Sequence, residues 1–411
     1  MRKWCLGVVA LLLAVGCASA GSGSGRSAPP PGTDLRRVTL TAAELHGIAA
    51  ADSRLGAQLL AQLQASGTGN IALSPASIAT ALQMAYVGAR GSTATEMATS
   101  LHVDGMTHTD VAAAAARLLG ELAPLAHDKD QLLDVVNTVW AQSGFPLTPA
   151  YDAMMRTGFG AGLRRTDFRQ SEHARQTINA AIAAATRDKI RDLIGSGQIT
   201  PDTRLVLTNA VYLKARWDAP FEPSETQPRA FHRGDGSAVT VPTMAQTGEL
   251  DYAHGPGYQA VRLPYAGNRL AMTVVVPTGR DAGYPAHIGP FRPAAVDLWL
   301  PKFRFSWSRD LTTALQALGL RTAFTDSADF TGITTAESLH LSFVQHQAFI
   351  DVNENGTEAA AATAVGIAGT GAFAPRTLVP VHADHPFYFA ITDAQTGLVL
   401  FLGHIADPTA S

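Results

Sequence analysis

The segment Glu354–Val365 has the most pointed composition in this 411-residue chain. Eight of its residues are Ala, Gly or Thr, and no large apolar side chain occurs before Val365. Taken alone it reads as a helix, because alanine is the best helix former, with a solvated linker as the second reading. Candidate catalytic groups are harder to find. There is no Gly-x-Ser-x-Gly elbow, no His-Glu-x-x-His and no P-loop. A hydrolase therefore has no motif-supported nucleophile. His382-Ala383-Asp384-His385 places two imidazoles and a carboxylate within four residues, the one grouping that suggests a metal site. We expect no metal and no other cofactor.

The elements that must position these residues start after a leader. Met1-Arg2-Lys3 is basic, and Leu6–Gly16 is an uncharged, largely apolar stretch of 11 residues. A bilayer span needs about 20, so this stretch has the form of a secretory signal. It ends in Leu13-Ala14-Val15-Gly16-Cys17, which resembles a bacterial lipobox with Cys17 as the lipidated first residue; a plain signal cut near Ala18–Ala20 is the alternative. The chain has only two cysteines, Cys5 and Cys17, so no disulfide is expected in the folded part. We divide the chain into a signal at 1–16, a Gly/Ser/Pro-rich tether at 17–37 and a folded domain at 38–411. The net charge of −3, with no basic run interleaved with aromatics, excludes a nucleic-acid-binding surface.

Periodicity predicts helices over 41–64, 77–87, 93–101, 111–122, 174–185 and 308–318. It predicts strands over 132–142, 204–213, 270–276, 298–305 and 339–353. Phe387–Ile391 and Leu398–Phe401 flank a short turn and read as a hairpin. Helices come first and strands later, the pattern of an α+β fold around large mixed sheets.

Six segments, in order over about 370 residues, resemble the serpins, a family of protease inhibitors. They are Asn70–Ile78, Met84–Thr93, Thr208–Trp217 (with Asn-Ala-Val-Tyr-Leu-Lys), Leu300-Pro301-Lys302-Phe303, Asn353–Thr363, and the C-terminal pair Asp384–Phe387 and Phe401–Ile405. The resemblance implies a serpin fold: three mixed β-sheets, about eight or nine helices and an exposed reactive-centre loop. Thr278–Val296 is shorter than the family's equivalent stretch, so a helix is expected to be missing there.

The resemblance also implies a mechanism. A serine protease, or a cysteine protease, attacks the loop and is trapped as its acyl-enzyme when the cut loop inserts into the central sheet. On this reading the chain is not an enzyme. Its partner is the target protease, held covalently; it acts as a monomer, exported as a cell-surface lipoprotein or secreted, and it touches a membrane only through the lipid. A non-inhibitory serpin that binds or carries a ligand is the alternative. The hinge would be Glu354, Gly356, Thr357, Glu358, Ala359, Ala360, Ala361, Ala362 and Thr363. In a strand, Thr357, Ala359, Ala361 and Thr363 would face the core, and Glu358 and Ala360 would face outward. Such small residues slip between strands at little steric cost. The shutter would be Ser74, Ser77, Asn209 and His346, a polar cluster under the sheet's centre. The breach, where the loop enters, would hold Trp217 and Lys302, the latter paired with Glu354. Counting from Gly356 puts the reactive bond at Thr370–Gly371. Counting back from the C-terminal strands puts it near Pro375–Arg376, so Phe373 and Arg376 stand as alternatives.

Overall fold

The computed structural model describes residues 35, 38–160, 162–279, 283–358 and 377–410. The leader with Cys17, the hinge residues Ala359–Thr363 and the reactive-bond candidates Thr370, Gly371, Phe373 and Arg376 lie outside these residues.

Among the described residues there are seven α-helices rather than eight or nine: α1 (Ala42–Ala65), α2 (Pro75–Tyr86), α3 (Gly91–Ser100), α4 (His108–Leu122), α5 (Pro149–Gly158), α6 (Ser171–Ala185) and α7 (Thr312–Ala317). The strands are β1 (Ile71–Leu73), β2 (Gln131–Gln142), β3 (Gly162–Thr166), β4 (Leu205–Arg216), β5 (Gln227–His232), β6 (Ala238–Gly255), β7 (Tyr258–Pro264), β8 (Leu270–Pro277), β9 (Arg292–Pro301), β10 (Phe303–Asp310), β11 (Gln345–Asn353), β12 (Gly356–Thr357), β13 (Val379–His382), β14 (Phe387–Asp393) and β15 (Val399–Ile405). No helix occurs among the described residues between β8 and β9.

Local chemistry explains the ends of the two helices nearest the site. At the start of α1, Thr41 accepts from the Glu44 N–H while the Glu44 carboxylate accepts from the Thr41 N–H, a reciprocal capping box. Leu55, Leu59 and Leu63 form its buried stripe. Ser74 caps α2 and Pro75 occupies its first turn, where proline's missing N–H costs nothing. All twelve residues of α2 are buried, so it runs through the middle of the molecule.

The strands form two mixed sheets where three were expected. The larger has the order β1-β15-β14-β8-β7-β6-β9-β13, with β5 also paired to β6. The 18-residue β6 joins what would otherwise be separate sheets: Ala238–Thr243 pairs with β5, Thr243–Tyr252 with β9 and Asp251–Gly255 with β7. The smaller sheet has the order β10-β11-β12-β4-β2-β3. Among the described residues only β9–β13 and β2–β3 pair in parallel.

Three predicted elements shift. The strand expected over 298–305 divides at Lys302, because β9 and β10 belong to different sheets. The strand expected from 339 begins only at Gln345. The helix expected from 308 begins at Thr312, because Ser308–Asp310 continue the β10 ladder to Gln345–Gln347. In each case the hydrogen-bonding partner, not the local periodicity, sets the boundary.

The smaller sheet lies between two apolar layers. Val211, Leu213 and Ala215 of β4 face the main core with α1 and α2. Val206 and Ala210 face a second cluster built from Ile178 and Ile182 of α6 and from Ile190, Leu193 and Ile194 after it.

Candidate functional site

The site is the top of the smaller sheet, where the chain leaves β11, reverses through Glu354-Asn355 and enters β12. Thr357 lies opposite Val352 and Gly356 opposite Asn353 on one side; Thr357 lies opposite Ala215 and Gly356 opposite Arg216 on the other. β12 is antiparallel to both neighbours, so these two residues already form the start of a strand between β11 and β4. Gly356 has φ +146°, and a Cβ there would strike the Ala215 carbonyl oxygen and lie 2.8 Å from the Arg216 Cα. Glycine is required for the close approach as well as for the dihedral.

Thr357 is 1% exposed and faces the core. Its hydroxyl shares a 2.6 Å hydrogen bond with the Tyr265 hydroxyl. Tyr265 stacks on Trp217 with ring centroids 4.5 Å apart at 9°. Burial drives the Tyr265 hydroxyl well above its ordinary pKa, so it stays protonated and able to donate. Glu358 comes next and departs from strand geometry. Its φ is +51°, in the left-handed region, while its N–H still donates to the Asp351 carbonyl at 2.8 Å. Its carboxylate forms an ion pair with Lys189.

Trp217 and Lys302 meet around this hairpin. The Trp217 indole donates to the Asn353 carbonyl at 3.0 Å, and its backbone N–H donates to the Asn355 carbonyl at 2.9 Å. Lys302 lies 2.9 Å from Glu354, which also accepts from the Thr226 hydroxyl at 2.9 Å. Burial works to raise the Glu354 pKa, but Lys302, its backbone contact and Thr226 outweigh it and hold the carboxyl below its usual range. The half-exposed Lys302 limits this pair to about 1 kcal/mol.

Lower in the sheet, the His346 Nε2 accepts from the Ser74 backbone N–H at 3.1 Å. Burial lowers the His346 pKa to about 4. The ring is therefore neutral near pH 7 with its proton on Nδ1. Ser74 in turn accepts from the Ser77 N–H at 3.3 Å, and the Ser77 hydroxyl finds no partner among the described residues. Asn209 is in β4 opposite Asn137 of β2; its side chain lies outside the described residues. The structure thus brings Ser74, Ser77 and His346 together.

His382 and His385 turn to different partners rather than to each other. His382 lies 3.0 Å from Asp297 and stacks on Trp299; His385 lies between the Asp384 carboxylate and the Pro277 carbonyl, each at 2.8 Å. No group of three potential metal ligands occurs among the described residues. Sequence reasoning missed Tyr265, Thr226 and Lys189. Each comes from a distant segment and touches the hinge only through the tertiary fold, and no local pattern marks any of them.

Residues 50–408 match the family profile described as serpin (serine protease inhibitor). The chain is 38% identical over 356 residues to an uncharacterised serpin-like protein of Thermococcus kodakarensis, covering 84% of this chain and 82% of that one. It is 33% identical over 348 residues to serine protease inhibitor 42Dd of Drosophila melanogaster, covering 82% and 91%. The structure is similar to that of Serpin48 from the insect Tenebrio molitor, with a TM-score of 0.76, 27% identity, and coverage of 90% of this chain and 99% of the other.

Proposed function

This chain belongs to the serpin family, most of whose characterised members inhibit serine proteases, and from that premise we propose that it traps a serine protease by inserting its cleaved loop between β11 and β4. The observation that carries this reading is β12: Gly356 and Thr357 are hydrogen-bonded to both strands, at the mouth of the path a longer strand would follow.

The register of β12 lays out that path. Continued by one residue at a time on insertion, it would put Ala359 between Ile350 and Leu213, Ala361 between Ala348 and Val211, and Thr363 between His346 and Asn209. Ile350, Ala348 and His346 are the buried, inward positions of β11, and Leu213 and Val211 of β4 belong to the main core. The small hinge side chains would meet Ile350, Leu213, Val211 and Ala348, and the threonine would meet His346. Ser74, Ser77, Asn209 and His346 then act as a shutter that re-pairs around Thr363, and Trp217, Lys302 and Glu354 frame the entry.

In the reaction, the protease's nucleophile attacks the carbonyl of Thr370, and the amine of Gly371 leaves with the C-terminal fragment. The acyl-linked N-terminal arm inserts and carries the protease with it, distorting its active site before water can release it. Each added strand residue contributes ladder hydrogen bonds and buried surface, which supply the driving force. Export with lipidation at Cys17 and a flexible tether at 17–37 completes the proposal: a monomeric inhibitor held at a cell surface.

The test is incubation with elastase-like, chymotrypsin-like and trypsin-like proteases, followed by denaturing electrophoresis and sequencing of the released C-terminal peptide. An SDS-stable complex and a new N-terminus at Gly371 are expected. Cleavage by every protease without any complex would favour a non-inhibitory binding or carrier protein. A start at Ala374 or Thr377 would move the reactive bond to Phe373 or Arg376.

A further inference from the structure

The hinge stops following the sheet at Glu358, and the residue that meets it there comes from the far side of the sheet. After α6 the chain passes Arg187 and Asp188, both at positive φ (53° and 63°), and then Lys189. Two consecutive left-handed non-glycine residues turn the chain sharply. The residues beyond them anchor it, because Ile190, Leu193 and Ile194 are buried against the outer face of β4. Arg187 fixes the crossing at the β2 side, with its Nε 3.1 Å from Asp134 and its guanidinium over the Tyr212 ring.

Lys189 is thereby held above the line between β4 and β11. Its ammonium lies 5.2 Å from the Phe349 ring centroid on β11, and it pairs with Glu358. The Glu358 side chain is only 13% exposed although it points away from the core. Tyr212, on the other side of the path, is pushed up to about 12, first by burial and then by the Glu358 charge. Continuing the register of β12 puts Asp351 and Lys214 in the same row as Glu358, and Asp351 pairs with Arg304 at 3.7 Å. Without a cation overhead, two carboxylates would stand side by side on adjacent strands, which is unfavourable.

We propose that Lys189 is a positioning residue that holds the hinge part-inserted, by pairing with Glu358 at the point where the chain turns out of the sheet. The pair offsets the left-handed backbone of Glu358 and the neighbouring Asp351, and so keeps Gly356 and Thr357 seated in β12. It makes the first step of insertion in advance, before any protease has cut the loop. This inference rests on the inhibitory reading for its consequence, but the seating of the hinge is a property of the uncut protein and is measured separately.

The experiment is hydrogen exchange of the full, uncut chain, read on peptides spanning Asp351–Glu358. Lys189→Ala and Glu358→Ala are each expected to lower protection of the Thr357 and Glu358 amides roughly fivefold, the scale of one partly buried ion pair. The double variant should lose no more than either single one. The charge swap Lys189→Glu with Glu358→Lys should restore protection. Unchanged protection in Lys189→Ala, or a swap that loses as much as both single changes added, overturns the assignment. Lys189 is a third exposed, so the variant keeps the fold, and thermal melting checks this. A protease panel run on the same variants reads the other question. A wild-type chain that forms no complex refutes the inhibitory reading and leaves the exchange result standing; a wild-type complex with unaltered exchange in Lys189→Ala refutes the latch alone.

Discussion

Thr357→Arg is the sharpest perturbation the structure offers. Thr357 is walled by Ala215 and Val352, faces the core and holds the Tyr265 hydroxyl. Losing that bond leaves a buried hydroxyl without its partner, at about 1–3 kcal/mol. Placing an unpaired guanidinium among Trp217, Tyr265 and Ala215 adds about 3–5 kcal/mol. The sum is at least about 4 kcal/mol against seating β12, close to a thousandfold at about 1.4 kcal/mol per factor of ten. Thr357 must be seated before any later residue can insert, so the whole penalty falls on the first step. Deacylation takes place on the protease and is not slowed. The variant should therefore be cut at the normal rate while its SDS-stable complex disappears, as measured by gel densitometry against the fraction of loop cleaved. Thr357→Ser keeps the hydroxyl and should retain most of the complex. Glu358→Arg would face Lys189 and break its ion pair, so it is no neutral control. If Thr357→Arg still forms complex in full yield, the hinge does not enter between β4 and β11 and the reasoning fails.

Gly356→Ala should unseat β12 through backbone collision with Ala215, losing protection of the 356–358 amides in exchange experiments while the melting temperature of the uncut protein falls by only a few degrees. Cleavage near Thr370 should raise the melting temperature. Thr363→Val should shrink that rise, because on the proposed register its hydroxyl would meet His346 on insertion; an equal rise in both would refute the register. His385 sits between two acceptors, the Asp384 carboxylate and the Pro277 carbonyl, so both ring nitrogens must donate and the ring is favoured in its charged form. The Asp384 bond raises its pKa against the opposing effect of burial. A raised folded value means that this stabilisation is complete below the unfolded pKa of about 6.5 and is lost as pH rises through the folded value. Melting curves of wild type and His385→Gln should therefore converge on going from pH 6 to pH 9; parallel curves would show that the ring is neutral throughout.

Much of this was legible because the informative residues are local in the sequence. The periodic stretches over 41–64 and 270–276 announce α1 and β8 unaided, whereas the second helix starts at Pro75, two residues before its periodic stretch. The small-residue hinge was legible only through the family resemblance, which makes it a strand; alternation then puts Thr357, Ala359, Ala361 and Thr363 on one face. What could not be read was set by partners far away in the chain. Lys302 divides two strands only because β9 and β10 join different sheets. Glu358 satisfies a strand pattern, yet it turns left-handed where Lys189, 169 residues earlier, reaches over the sheet. Tyr265 lies at a strand end with no local sign that Thr357 will bond to it.

The tight connection from β11 to β12 bears on how the molecule is made. Asn353 and Gly356 are opposed across a two-residue turn, so this pairing closes a very small loop and forms on the timescale of a hairpin, about microseconds. β4 enters the same pairing from 140 residues earlier, opposite Arg216, and its arrival is slower because long-range closure is entropically costly. During folding the hinge therefore finds β11 before β4 docks. A chain that dwells there can extend the hairpin downward and seal the sheet around its own uncut loop. On the inhibitory reading, yield of active protein would then be decided by a race between docking of β4 and growth of the hairpin, and slow refolding should favour a sealed form that makes no SDS-stable complex.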